Sequence, residues 1–208
     1  MNRIVIVVFG FVLGPPAISQ TQIGVKGGFA ISTLMPHFRV ERPFIGIQAS
    51  AVAKTQINNR MFLQPALGYY PKGKKRLHLI AGENGNLVSA DAIFRFDYIE
   101  LSTPFQYLLH DGTIQWLAGV GPFVSYATGG RVVFKNFSGP SNDFETQKFV
   151  FGKNGLNRAD FGMTILFSAI ISGHWMFSLN YDQGVTNTDG WSKAKTMSVG
   201  LTGGYFFK

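Results

Sequence analysis

The sequence contains no cysteine, which excludes a disulfide framework and a thiolate metal centre. Charge is scarce too: charged residues make up 14% of the chain, against about 25% in ordinary soluble domains, too few for a surface that faces water. Long apolar runs are also missing. The one sustained run, Ile4 to Leu13, has about half of the roughly 20 residues a helical span requires, and mean hydropathy is only +0.12. Any membrane role must therefore rest on apolar residues spread by alternation, which is the logic of a barrel. Chemical motifs are equally sparse. His37, His78, His110 and His174 fall in separate loops or turns with no metal-ligand spacing and no His-Ser-acid set. Gly119-Val120-Gly121 and Gly129-Gly130 complete neither a dinucleotide fingerprint nor a P-loop. No catalytic residue, cofactor or metal is expected.

What the chain does have is aromatic residues, 14% with 20 Phe, and 25 Gly, a composition suited to pleated strands with aromatic girdles. The first residues read as an address. Met1 to Arg3 is a short positive region, Ile4 to Leu13 an apolar one, and Ala17-Ile18-Ser19 a small-x-small cleavage signature. Residues 1–19 are thus expected to be a signal peptide cleaved near Gln20, leaving 20–208 as one domain.

From Gln22 onward the apolar period is two, which sends alternate side chains to opposite faces of a sheet. Ile23, Val25, Phe29 and Ile31 form one such set, and Ile45, Ile47, Ala49 and Ala51 a second. Met61, Leu63, Leu67 and Tyr69 follow the Asn58-Asn59 turn. Phe94, Phe96 and Tyr98 share a face before the phase jumps to Ile99 and Leu101, which predicts a β-bulge near Tyr98. Ile114 to Tyr126, Phe161 to Ile171, Trp175 to Tyr181 and Met197 to Phe207 complete eight strands. Their connections alternate in length. Those near Asn58, Asp111 and Gly173 are short, while those near Pro36, Asn84, Ser141 and Asp189 are mostly longer, the short-periplasmic and long-extracellular arrangement of outer-membrane barrels. The fold class is therefore all-β, an eight-stranded antiparallel up-and-down transmembrane β-barrel.

Particular segments carry a resemblance. Gly24-Val25-Lys26-Gly27-Gly28-Phe29 with Ser32-Thr33-Leu34, Leu63-Gln64-Pro65-Ala66-Leu67-Gly68-Tyr69 with Lys72-Gly73, Asp160-Phe161-Gly162, and Tyr181-Asp182-Gln183-Gly184-Val185-Thr186-Asn187 together resemble the PorT-like outer-membrane β-barrel proteins of Bacteroidetes. The resemblance spans nearly the whole mature chain and implies an eight-stranded outer-membrane barrel; its motifs are structural. Two places depart from the pattern: Tyr98-Ile99-Glu100-Leu101 is followed by Ser102, with proline delayed to Pro104, and the terminal aromatic, Phe207, lies one residue before the end.

Eight strands enclose a lumen just wide enough for their own side chains. The inward set is expected to be Lys26, Gln48, Lys54, Gln64, Lys72, Glu100, Gln106, Gln115, Asn180 and Asp182, and within it Lys26, Gln48, Gln64, Glu100, Gln115, Asn180 and Asp182 are the candidate polar network. Outside, two long connections read as raised hairpins: one with its tip at Glu83-Asn84-Gly85-Asn86, and one in which Val132 to Phe137 pairs with Lys148 to Phe151 around turn residues Ser138 to Asp143. The second carries the candidate interaction residues Arg131, Lys135, Phe137, Lys148 and Phe149. The formal charge is +8, concentrated in Lys74, Lys75, Arg76, Arg131, Lys135, Lys148 and Lys153 of the exterior connections. An exported chain does not meet nucleic acid routinely, so the expected partners are outer-membrane lipid and lipopolysaccharide, with envelope or secretion proteins at the exterior loops. The function expected is a noncatalytic surface, envelope or secretion-accessory interaction barrel; the alternatives are a small-solute barrel and a lipid-modifying enzyme.

Overall fold

A strand in lipid must have every backbone N–H and C=O paired by a neighbouring strand, because no water is there to do it. In the computed structural model, which describes residues 21–35, 41–81, 87–136, 144–148, 151, 156–188 and 194–207, that requirement is met by closure. The strands are β1 (Thr21–Met35), β2 (Glu41–Asn58), β3 (Met61–Leu63), β4 (Ala66–Ala81), β5 (Leu87–Ser102), β6 (Phe105–His110), β7 (Ile114–Asn136), β8 (Phe144–Lys148), β9 (Ala159–Ile171), β10 (Trp175–Gly184) and β11 (Lys195–Phe206). Neighbours pair antiparallel, and β1 pairs with β2 on one side and β11 on the other. β3 runs on into β4 and β5 into β6, so the wall is a ring of eight staves, with β8 an extra strand on β7. The proposed leader, residues 1–19, lies outside the described residues.

Prolines interrupt two staves, at Gln64-Pro65 and Thr103-Pro104. A proline has no N–H to give the ladder, but its carbonyl still accepts. Pro65 O takes Ala53 N at 2.9 Å, Pro104 O takes Gln64 N at 3.0 Å, and Pro122 O takes Thr103 N at 3.0 Å. A Cβ on Gly121 would run into the backbone of Thr103 and Pro104, so only glycine lets β7 lie this close to the break. A second irregularity separates β2 from β4 between Pro43 and Ala49. There the gap is bridged from β1, Gly73 N donating to Ser32 Oγ at 2.8 Å.

The tight turns gather at one end. Asn58 Oδ1 accepts from Arg60 N at 3.0 Å and Met61 N at 2.9 Å, an Asx turn. Ser172 and Gly173 both take positive φ, 52° and 72°, as a primed hairpin turn demands. The last residues are fixed to this end as well: Phe206 N donates to His174 O and Phe207 N to Ile23 O.

The bulge expected near Tyr98 lies on the other strand. β5 alternates without a break, burying Phe96, Tyr98 and Glu100. Its ladder to β7 slips between Asp97 and Tyr98, where Asp97 faces Gly129 and Tyr98 faces Ala127; the extra residue is Thr128, whose hydroxyl donates to Asp97 O at 3.0 Å. The jump of apolar phase in β5 therefore records a change in what the lumen holds at that height, with aromatics above and a carboxylate below.

The outward set is apolar and bare. Ile47 is 68% exposed, Leu201 64% and Phe29 63%, and residues like them continue around the ring. Contiguous apolar surface of this extent is foreign to soluble monomers, whose patches reach a few hundred Å². Trp116, stacked on Phe167, and Trp175, edge-on to Tyr205, lie toward the tight-turn end, with Tyr69, Tyr126 and Tyr181 on the outward face toward the other end. From Trp116 to Tyr126 is ten residues, or about 33 Å of strand. A barrel tilt of about 40° brings this to about 25 Å, the height of a lipid-facing band.

The two faces make opposite demands at adjacent positions. Leu179 is half exposed to lipid, whereas Ser178 is buried and shares a 2.9 Å hydrogen bond with Ser168. Leu179→Arg should cost about 2–4 kcal/mol at mid-bilayer and prevent insertion into lipid vesicles, while Ser178→Ala should cost about 1 kcal/mol and insert. Heat-modifiable migration on gels checks both, and equal behaviour of the two variants would contradict the assignment of faces.

Candidate functional site: the lumen and the exterior sheet

The interior is layered. At the tight-turn end Val52, Phe62, Ala66, Leu108, Leu117, Ile170, Met176 and Phe206 form a buried apolar plug. At the other end Leu34, Phe96, Tyr98, Ala127 and Ala194 form a second, against which Phe94, Phe151 and Leu156 pack. Between them lies a polar band.

Lys72 is its hub. Only 2% exposed, its ammonium stands 2.8 Å from Glu100 Oε2 and 3.5 Å from Asp160 Oδ2, with the faces of Phe123 and Tyr98 at 4.3 and 5.4 Å. Such enclosure strengthens the ion pairs and makes each charge dependent on its partner. Asp160 also accepts from Thr186 Oγ1 and Thr196 Oγ1, both at 2.6 Å. Asp182 accepts from Asn180 Nδ2 at 2.7 Å and Ser198 Oγ at 3.1 Å, and Gln48 Nε2 reaches Asn180 Oδ1 at 3.4 Å. Lower down, Gln106 Nε2 donates to Ser168 Oγ at 3.3 Å and Gln64 Nε2 to Met176 Sδ at 3.3 Å. The cavity bounded by Lys26, Tyr70, Glu100, Asn180 and Asp182 holds about 10 Å³ of free volume, room for one water at most.

Of the residues singled out in the sequence, Lys26, Gln48, Gln64, Glu100, Asn180 and Asp182 are buried inside the ring, as are Lys54, Lys72 and Gln106. Gln115 is not among them. It lies on the inward face of β7 but beyond the lower plug, half-buried, and its amide donates to Asp111 Oδ1 of the neighbouring turn at 3.0 Å. Two positions before Leu117 the stave has already reached its mouth. Asp160 is absent from the inward set expected above, although its alternation with Thr164 and Ser168 puts it on that face. The two apolar plugs carried no such signal, since an apolar residue is unremarkable on either face of a barrel strand.

Above the girdle the wall continues as a sheet. β4 and β5 stay paired as far as Ala81 and Leu87, with the tip at 82–86 outside the described residues. β7 extends to Asn136 and pairs with β8 from Arg131–Lys148 to Lys135–Phe144. The hairpin predicted around Ser141 is therefore present with a different return strand: Phe144–Lys148 rather than Lys148 to Phe151. Arg131 is exposed, and Lys135 and Lys148 take their places in the ladder; Phe137 and Phe149 lie outside the described residues. Among the described residues no group of three or more His, Cys, Asp or Glu side chains is placed to hold a metal ion.

A family model described as "outer membrane protein beta-barrel domain" matches residues 16–190. No curated protein sequence matches the chain. Among solved structures it is similar to Ail of Yersinia pestis in complex with the heparin analogue sucrose octasulfate, at 10% identity and TM-score 0.46, covering 90% of this chain and 99% of that one. It is also similar to Neisserial surface protein A, at 12% identity and TM-score 0.44, covering 90% and 96%, and to OprG of Pseudomonas aeruginosa, at 12% and 0.36, covering 89% and 95%.

Removing the ammonium at the hub strands two buried carboxylates. Lys72→Met should destabilise the folded barrel by about 3–5 kcal/mol, read as an earlier urea midpoint in lipid vesicles, and Lys72→Met combined with Glu100→Gln should recover part of the loss. An additive double mutant would show that the pair is not coupled.

Proposed function

Because this chain belongs to the outer membrane protein beta-barrel domain family, we propose that it is a noncatalytic interaction protein of the outer membrane, working through its exterior sheet as a surface, envelope or secretion-accessory component. One observation carries this reading: the interior fills itself. The polar band is enclosed by an apolar plug at each end, and the gap beside Lys26 and Glu100 accommodates no solute larger than water. Among the described residues the lumen offers a small ligand neither a path nor a pocket, which is the usual state of an eight-stranded ring. That weighs against the small-solute alternative. A lipid-modifying enzyme needs a nucleophile or base near the lipid-facing surface, and the outward positions between the two girdles are apolar, glycine, proline or threonine.

The outside is where material has been added. β7 and β8 stand above the lipid band with turn residues at their tip, and β8 has β7 as its one ladder partner among the described residues. A strand edge of this kind can recruit an extended segment of another protein. Arg131, Lys135, Phe137, Lys148 and Phe149 are the residues we assign to that contact, with envelope or secretion proteins as the protein partners and outer-membrane lipid and lipopolysaccharide as the surroundings. The affiliation with PorT-like barrels of Bacteroidetes, and export behind a leader cleaved near Gln20, belong to the same reading.

Register allows a clean test. Replacing Val132 to Gln147 by an Asn-Gly turn joins the facing pair Arg131 and Lys148 in a two-residue hairpin and deletes the raised tip. Heat-modifiable folding should survive while crosslinks to partner proteins in whole outer membranes disappear; unchanged crosslinks would refute the site. In planar bilayers the unaltered protein should show no steady conductance, and a stable open level would overturn the closed lumen.

A further inference from the structure

The outward face changes character abruptly at the upper tyrosines. From Trp116 to Tyr126 on β7, and from Tyr107 to Ile99 along β6 and β5, no outward residue is charged. Above them the cations crowd together. Arg42 faces Lys75 across the β2–β4 ladder. Arg131 faces Arg95 on one side and Lys148 on the other. Like charges directly opposite one another weaken a sheet, and here they occupy two neighbouring stretches of one wall. Counter-charge is thin. Asp97 holds Arg95 at 2.9 Å and accepts from the Tyr69 hydroxyl, but among the described residues no acid pairs with Arg131 or Lys75. The belt sits at the height where lipid ends. Arg95 Nη2 donates to the hydroxyl of girdle residue Tyr69 at 2.6 Å, and Arg158 lies over the ring of girdle residue Tyr126 at 5.7 Å.

We propose that this belt, Lys75, Arg95 and Arg131 with Arg42 beside them, binds the phosphate groups of a phosphorylated glycolipid in the outer leaflet. The inference rests on the outer-membrane reading; it shares Arg131 with the protein contact assigned to the hairpin but needs no protein partner. A phosphate placed between Arg131 and Lys75 supplies the missing counter-charge, and guanidinium offers it two parallel donors. The cross-strand repulsion is then what keeps the site open for an anion. Position favours a lipid over a free anion. The belt is on the side wall rather than the top, and directly beneath it Leu67, Ile99 and Val124 are exposed apolar surface against which acyl chains lie. The opposite rim has no such belt among the described residues: Arg60 stands there with Tyr107 as its hydrogen-bond partner at 3.4 Å.

The test uses the full mature chain in phosphatidylcholine nanodiscs doped with lipid A, followed by native mass spectrometry of lipid retained on extraction into detergent. Lys75→Gln with Arg131→Gln should lower retained lipid A about tenfold, Arg131→Lys should lower it less, and Arg60→Gln should leave it unchanged, each variant being checked for heat-modifiable folding. Dephosphorylated lipid A should not be retained, and excess inorganic phosphate should not displace lipid A. Equal retention by wild type and the double variant would overturn the proposal, as would equal loss in Arg60→Gln. Displacement by inorganic phosphate would show a free-anion site instead of a lipid site. The Asn-Gly hairpin variant keeps Arg131 and Lys148, so it should retain lipid A even where it loses protein crosslinks, and failure of one reading stays distinct from failure of the other.

Discussion

Backbone pairing in a medium without water is the constraint on which the rest depends. It forces β1 to serve two neighbours, from Gly24–Phe206 to Met35–Lys195 on one side and Thr21–Thr55 to Ser32–Phe44 on the other, since an open edge in lipid would leave each of those groups unpaired. It also explains where irregularity is tolerated. Pro65, Pro104 and Pro122 lie on three successive staves, so that the carbonyl of each proline meets an N–H of the preceding stave. A proline withholds a donor, so the cost falls on the carbonyl that would have accepted it. Three in echelon gather the irregularity into one patch of wall, where each proline carbonyl still accepts from its neighbour.

Closure at eight staves then dictates the interior. The ring is too narrow to hold a water column and too wide to close on backbone alone, so side chains must fill it. Polar residues in a space sealed by apolar layers gain most where they find partners, and the band centres on Lys72 between Glu100 and Asp160, with Lys26 and Asp182 buried beside them. Lys72 is held by Glu100 and Asp160, Asp160 by the threonines 186 and 196, and Asp182 by Asn180 and Ser198. The threonine pair matters for position as well as charge: Thr186 follows β10 and Thr196 lies on β11, so Asp160 ties the exterior ends of β9, β10 and β11 to the hub.

How much of this the sequence disclosed follows from the same physics. Alternation exposed the lipid face from Ile23 to Phe207 because lipid admits apolar side chains there and few others, and the small or polar residues opposite marked Gln48, Asn180 and Asp182 as inward. Where the lumen itself turns apolar the contrast vanishes. Phe96 and Tyr98 were grouped correctly with one another, yet the change to Ile99 and Leu101 looked like a slip of β5 when the inserted residue was Thr128 of β7. No local pattern distinguishes a phase change caused by lumen chemistry from one caused by a bulge; only the partner strand decides. Gln115 shows the complementary limit. Its face was legible, but its depth was not, because depth depends on where the plug of Leu117, Ile170 and Met176 ends.

Depth also separates the two kinds of charge this chain carries. In the lumen Lys72 is matched by Glu100 and Asp160 from other staves, a costly arrangement that only a fixed interior can keep. Cations on the outer wall are set against each other, Arg42 beside Lys75 and Arg131 between Arg95 and Lys148. Both arrangements arise in the same sheet, a few residues apart along the strands. A sequence under pressure for stability alone would relieve the second as thoroughly as it relieves the first, since exposed positions tolerate replacement far more readily than buried ones. That the repulsion stands where replacement is easiest argues that the outer wall answers to something beyond the fold.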